Sequence, residues 1–219
     1  MKVLTQEEFN KAIKKSYENY DDVLEIQNHI IKDIYCIIYD SRGPYNIVFS
    51  KCRIERINTD ETPIFPPFRP IIFDNCEIVD FEKISNINTC KFRGCEFLKP
   101  VPLACPKEGE FIGYKKCIYL DSYGYDYYHC IVKLLIPEDA KRSSAFTNKC
   151  RCSKAKVLDF YDIDGYELKD TEAYSIFDSN VNYKVGKEVY PDSFDENRYN
   201  ECSHGIHFFM SFDEARDYY

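Results

Sequence analysis

Tryptophan is absent from this 219-residue chain, methionine occurs twice, and the 8 glycines are scattered. They form neither GxGxxG nor a Walker loop, which removes the common nucleotide folds in which glycine-rich backbone cradles phosphate. An excess of positive charge is also missing. Lys and Arg total 29 against 37 Asp and Glu, a net charge of −8, so the chain is not a uniformly basic coat for nucleic acid. No stretch approaches the roughly 18 uninterrupted apolar residues of a membrane span. The opening Met1-Lys-Val-Leu-Thr-Gln-Glu-Glu8 turns acidic before an apolar h-region can form. No secretory leader is therefore expected, and a cytoplasmic location is.

What is present fits a folded globular chain: 44% hydrophobic and 30% charged residues. Eleven cysteines, an odd number, argue against a closed disulfide framework and read as reduced thiols acting as small hydrophobes. Thr5-Gln-Glu-Glu8 has the form of a capping box, and Phe9, Ala12, Ile13, Tyr17 and Tyr20 recur behind it at helical spacing, predicting a helix over about residues 6 to 19. Ile34-Tyr-Cys-Ile-Ile-Tyr39, closed by Asp40-Ser-Arg-Gly-Pro44, reads as a strand and turn, with Tyr45 to Ile54 completing a hairpin.

A small motif then recurs: Cys52-Arg-Ile54, Cys76-Glu-Ile78, Cys90-Lys-Phe92 and Cys95-Glu-Phe97. The last two read as successive five-residue units. This resembles the pentapeptide repeat, in which a small residue and a bulky apolar residue two positions later point into a square β-solenoid. Pro63-Ile-Phe-Pro-Pro-Phe-Arg-Pro70 interrupts the pattern, so the expectation is a short, degenerate solenoid-like stretch over about residues 45 to 100.

Pro100-Val-Pro-Leu-Ala-Cys-Pro-Lys-Glu-Gly109 is rich in turn-formers and marks a boundary. It separates an N-terminal helix plus repeat-like segment (1–100) from a C-terminal β-rich domain (110–219). In the second part Tyr114 to Leu120, Tyr128 to Ile136, Ala155 to Tyr161, Asn182 to Val185 and Ile206 to Met210 read as strands, with Asp164-Gly165 as a hairpin turn. Ser211-Phe-Asp-Glu214 is a second capping box that opens a terminal helix. The fold class expected is α+β, mainly β.

Five ordered marks lie in residues 114 to 219. They are Leu135-Ile-Pro-Glu-Asp-Ala-Lys-Arg-Ser-Ser144, Lys149-Cys-Arg-Cys-Ser-Lys-Ala-Lys-Val-Leu158, Tyr183-Lys-Val-Gly186, Phe194-Asp-Glu-Asn-Arg198, and Glu201-Cys-Ser-His-Gly-Ile-His-Phe-Phe209 with Glu214-Ala215. Together they resemble an uncharacterised domain found after pentapeptide-repeat segments in phage, prophage, bacterial and giant-virus proteins. That resemblance implies an intracellular protein associated with mobile elements and carries no established reaction or catalytic residue. A remoter likeness joins Gly205-Ile-His-Phe-Phe and Ala215 to a strand and helix of ADP-ribosyltransferases. Those enzymes need a glutamate on a later strand, and the chain stops at Tyr219, so a decayed relative rather than an active transferase is the expectation.

The clearest anomaly is charge. Lys141, Arg142, Lys149, Arg151, Lys154 and Lys156 fall in a stretch without an acid, whereas residues 157 to 219 hold 5 basic and 15 acidic residues. The stretch suits a phosphate- or nucleic-acid-facing loop; the plainer alternative is that it docks on its own acidic tail. Cys150, Cys152, Cys202 and His204 are a weak zinc set, because the one-residue gap between the first two is shorter than zinc knuckles use. A Cys–His catalytic pair from Cys202, Cys150 or Cys130 with His207 or His129 lacks any local mark. Tyr123, Tyr125 and Tyr127, flanked by Asp121 and Asp126, suit a protein partner with basic patches. The combined expectation is a non-enzymatic interaction protein with no cofactor and no membrane. It binds, and by binding inhibits, a host protein or ribonucleoprotein such as a CRISPR-type defence nuclease. The alternative is a nucleic-acid-binding module.

Overall fold

The computed structural model describes residues 1–36, 46–59, 70–120, 126–169, 172–176 and 181–218. The fold is mixed α+β and mostly β, with a helix near each end. The chain divides into two compact units, Met1–Val101 and Pro102–Tyr219. Among the described residues no helix is long and apolar enough to cross a membrane.

In the first unit, the helix Gln6–Asn19 begins as the spacing requires. Thr5 accepts from the Glu8 amide while the Glu8 carboxylate takes the Thr5 amide at 3.0 Å. Its buried face carries Phe9 and Ile13. Among the described residues of this unit the strand pairing is parallel throughout. Lys2–Val3, His29–Ile31, Arg53–Ile54, Glu77–Ile78 and Glu96–Phe97 form one sheet. Val23–Gln27, Asn46–Ser50, Ile71–Asp74 and Lys91–Arg93 form a second. Ile34–Cys36 with Ile57–Thr59 forms a third.

Val23 pairs with Asn46, Ile30 with Arg53 and Ile34 with Ile57, so the three sheets advance by one common step along the chain. Equivalent residues therefore stack. Phe9, Phe49, Phe73 and Phe92 lie ring over ring at 6.3, 5.8 and 5.1 Å, their planes nearly parallel, and Ile31, Ile54 and Ile78 make a fully buried column beside them. Stacked aromatic pairs add about 0.5–1.5 kcal/mol each beyond the area they bury.

This topology corrects the hairpin expected from Ile34–Tyr39 and Tyr45–Ile54. Ile34–Cys36 pairs with Ile57–Thr59 and Asn46–Ser50 with Val23–Gln27, both parallel. The β-branched runs were legible, but their partners lie a whole step away in sequence. The parallel pairing also reaches back to residue 2, well before residue 45. The turn at 40–44, the end of the first strand and the proline-rich 63–69 lie outside the described residues.

The step is set by a backbone corner. Asn28, Lys51, Asn75 and Gly94 all sit at positive φ, between 51° and 59°. The amides of the first three reach the next step's carbonyls, at Ser50, Asp74 and Arg93, over 3.0, 2.9 and 2.7 Å. Directly after the corner come Cys52 and Cys76, buried, and Cys95, half-buried, whose thiols donate to the carbonyls of Ile26, Phe49 and Phe73. Glycine and asparagine tolerate a left-handed corner; lysine does so at a cost of roughly 1–2 kcal/mol.

The second unit is antiparallel. Its larger sheet runs Glu167–Leu168, Ala155–Asp162, Tyr127–Ile136, Phe111–Leu120, Glu172–Ser175 and Asn182–Lys184, with Glu188–Val189 on the other end of Ala155–Asp162. A smaller sheet joins Arg142–Ser144, Cys150–Cys152 and Ile206–Phe208. A Tyr114–Phe209 bridge, with both bonds at 2.8 Å, links the two sheets. Gly113 is required there: a Cβ would lie 2.6 Å from the Phe208 ring. Val132, Leu134, Val157, Phe160, Cys150, Cys152 and Phe208 form the core. The helix Phe212–Asp217, capped by Ser211 and Glu214 as expected, covers Ile131 and Phe209 with Ala215. Lys116 donates to the carbonyls of Arg216 and Tyr218 at its C-terminal end, 2.9 and 2.7 Å away.

Relief of the lysine corner sets a measurable expectation. Lys51→Asn raises the stability of the first unit by about 0.5–1 kcal/mol, whereas Gly94→Ala lowers it, because the added Cβ meets the Asn75 side-chain oxygen at 2.5 Å. Thermal unfolding of the two variants beside the parent checks both signs.

Candidate functional site

The basic run is built largely into the fold. Arg151 lies on the middle strand of the smaller sheet, 1% exposed. An inward guanidinium needs acceptors in several directions, and the backbone supplies them. One nitrogen donates to the carbonyls of His204 at 2.7 Å and Asp195 at 3.3 Å, the other to Asn197 at 3.1 Å, and the group lies 5.4 Å from the Phe194 ring centre. Burial pulls its pKa below the ordinary value, and the Asp195 charge opposes that.

Arg142 is also a chelator of carbonyls, bonding Ala140, Gly109, Pro137 and Glu138 while its guanidinium covers Phe111 at 5.1 Å. Lys141 is ion-paired with Glu196, and Lys154 with Asp139 at 2.5 Å. Lys149 donates to the Tyr218 hydroxyl at 2.9 Å and lies 3.6 Å from the Cys202 sulfur. Lys156 is exposed on the strand opposite Glu188. The structure thus brings Lys141, Arg142, Arg151 and Lys154 onto acceptors of their own unit rather than onto one open cationic strip.

The loop between them is held by an acid that the sequence reading did not single out. Glu201, 2% exposed, accepts from the amides of Phe146 and Thr147 at 2.7 and 2.9 Å and from the Thr147 hydroxyl at 2.5 Å. Asp195 accepts from Ser203 at 2.7 Å, Asn197 at 2.9 Å and Asn200 at 3.1 Å. Burial raises its pKa, and these hydrogen bonds outweigh that and hold it below the usual carboxylate range. The signal was present in Asp195-Glu-Asn-Arg-Tyr-Asn-Glu201, since Asp and Asn bond their own backbone two residues on.

The sulfur and nitrogen candidates do not assemble. Cys150 and Cys152 share the buried face of their strand, both at 0% exposure, while Cys202 and His204 are exposed. Among the described residues no three His, Cys, Asp or Glu groups are placed to hold a metal. Cys130 is buried and His129 exposed. His207 bonds the Glu201 carbonyl at 3.2 Å; burial, then the charges of Lys149 and Lys115, pushes it down to about 3.

Two surfaces remain open. Tyr127, 64% exposed, stands with Tyr128 and Leu120 at the turn end of the central hairpin, where Leu120 pairs with Tyr127; Tyr123 and Tyr125 lie outside the described residues. On the face that carries the terminal helix, Tyr114, Tyr161 and Phe212 line a cleft with Asp164, Gly165, Asp213 and Arg216. Acids dominate what faces solvent: Glu138, Asp139, Asp164, Glu167, Glu188, Asp192, Glu196, Asp213 and Asp217 are all exposed.

A family model described as a family of unknown function (DUF5758) matches residues 101–215. No curated protein and no solved structure matches the chain.

Two outcomes follow for stability. Arg151→Leu strands the carbonyls of His204, Asp195 and Asn197 and lowers it by roughly 3 kcal/mol or more, while Lys141→Ala changes it by under about 1 kcal/mol; denaturant titration separates them. His207 is also depressed from 6.5 to about 3, so the unfolded chain takes up its proton first. Its contribution is complete above pH 6.5 and is lost progressively as the pH falls toward 3. His207→Gln flattens that part of the stability–pH curve.

Proposed function

The chain belongs to that family of unknown function, and we propose that it acts by binding rather than by catalysis, presenting an acidic surface to a basic macromolecular partner. The observation that carries the reading is the sorting of charge. Arg142 and Arg151 are occupied by backbone carbonyls, and Lys141 and Lys154 by acids. Asp164, Glu167, Glu188 and Asp192 face solvent. An acidic face of this kind steers encounter with a positive groove and fixes orientation more than it sets affinity.

The instance to test joins the motif resemblance, which implies a phage or mobile-element protein, to the charge: the acidic face occupies the nucleic-acid channel of a host defence nuclease. A module that grips nucleic acid through residues 141–156 is the competing reading, and its arginines have their donors in use. We also read the first unit as a short, degenerate solenoid related to the pentapeptide repeat. The common step of its parallel sheets and the stacked Phe and Cys columns support this.

Changing Glu167, Glu188, Asp192 and Glu196 together to their amides is expected to abolish inhibition of a sensitive nuclease, or capture of the partner from host lysate. It leaves the fold unchanged by circular dichroism. Undiminished potency of this variant contradicts the reading.

A further inference from the structure

We infer that the cleft beneath the terminal helix is a seat for the ammonium group of a lysine side chain on the basic partner, an inference that rests on the acidic-surface reading above. The cleft is an open depression of about 410 Å3, bordered by Tyr114, Tyr161 and Phe212 together with Asp164, Gly165, Asp213 and Arg216. Phe212 stands at 77° to Tyr114 and 84° to Tyr161, with ring centres 6.1 and 6.2 Å away. Three aromatic rings thus border one space, with Phe212 packed edge to face against both tyrosines, and an aromatic wall of this kind attracts an organic cation.

The walls are fixed rather than adaptable. Tyr114 belongs to the strand that bridges to Phe209, Tyr161 pairs with Ile131 inside the sheet, and Phe212 opens a helix capped at both ends. The rim supplies the matching charge. Asp164 sits in the hairpin turn, exposed, its amide held by Asp162 at 3.0 Å, and among the described residues it has no basic partner. Arg216 also lines the cleft, but its guanidinium is held between Asp213 at 2.8 Å and Asp217 at 2.9 Å. That pairing neutralises the arginine and leaves Asp164 as the carboxylate open to an incoming ammonium. A lysine side chain also brings the methylene stem that the aromatic walls can cover.

The test uses the whole chain, with its aromatic rings isotope-labelled, titrated at constant ionic strength with a blocked Gly-Lys-Gly tripeptide and with its Nε-acetylated form. The charged peptide is expected to shift Tyr114, Tyr161 and Phe212 saturably, and acetylation to weaken binding about fivefold or more. Asp164→Asn, a change at an exposed turn, weakens the charged peptide by about two- to fivefold; Tyr161→Leu removes the shifts. Equal binding of the acetylated peptide, or no saturable shift at these rings, overturns the inference. Because the amide variant above leaves the cleft intact, a negative peptide titration beside a positive partner assay removes the lysine seat alone. Loss of both removes the reading beneath it.

Discussion

A guanidinium cannot leave water unless its donors are met from several directions, and Arg151 imposes that condition on the whole second unit. Its place is the middle strand of a three-stranded sheet, and its acceptors are carbonyls at Asp195, Asn197 and His204, far along the chain. The loop 194–204 must therefore fold back over that strand. Once there, it brings Glu201 under the amides of Phe146 and Thr147 and sets His207 against the Glu201 carbonyl. The strand Ile206–Phe208 then pairs beside Arg151, and the terminal helix follows it onto the outer face of the larger sheet.

The functional consequence is a change in what the surface offers. The arginines of a run that is basic in sequence become internal scaffolding, and many of the acids that follow it, among them Asp164, Glu167, Glu188 and Asp192, face solvent. The same fold that hides the arginines builds the aromatic cleft, because the sheet supplies Tyr114 and Tyr161 and the helix supplies Phe212. The buried arginines and the cleft are two products of one packing arrangement.

Much of the fold was legible from local chemistry. Both helices start where Thr5 with Glu8 and Ser211 with Glu214 close reciprocal caps, and Asp164-Gly165 turns with Gly165 at positive φ. The long strands declared themselves through β-branched and apolar runs ended by Pro137 or turn residues. Partners were not legible. Parallel pairing at a fixed step leaves no local mark, and where His29 takes the place that Cys52, Cys76 and Cys95 fill on later steps, the motif vanished from view. Arg151 misled for a related reason: an arginine bound to phosphate and one bound to carbonyls have the same neighbours in sequence. Only the distant Asx-rich loop distinguishes them, and the cleft joins three separated segments that no window could unite.

The sign of the binding surface is the central claim, and it can be measured on the intact chain. Isothermal titration with polylysine and, in parallel, with a duplex oligonucleotide, each at low and at physiological salt, reads it directly. The account predicts salt-sensitive binding of polylysine and none of the oligonucleotide. Tight, salt-dependent binding of the oligonucleotide with no response to polylysine would contradict it and return the basic run to the surface.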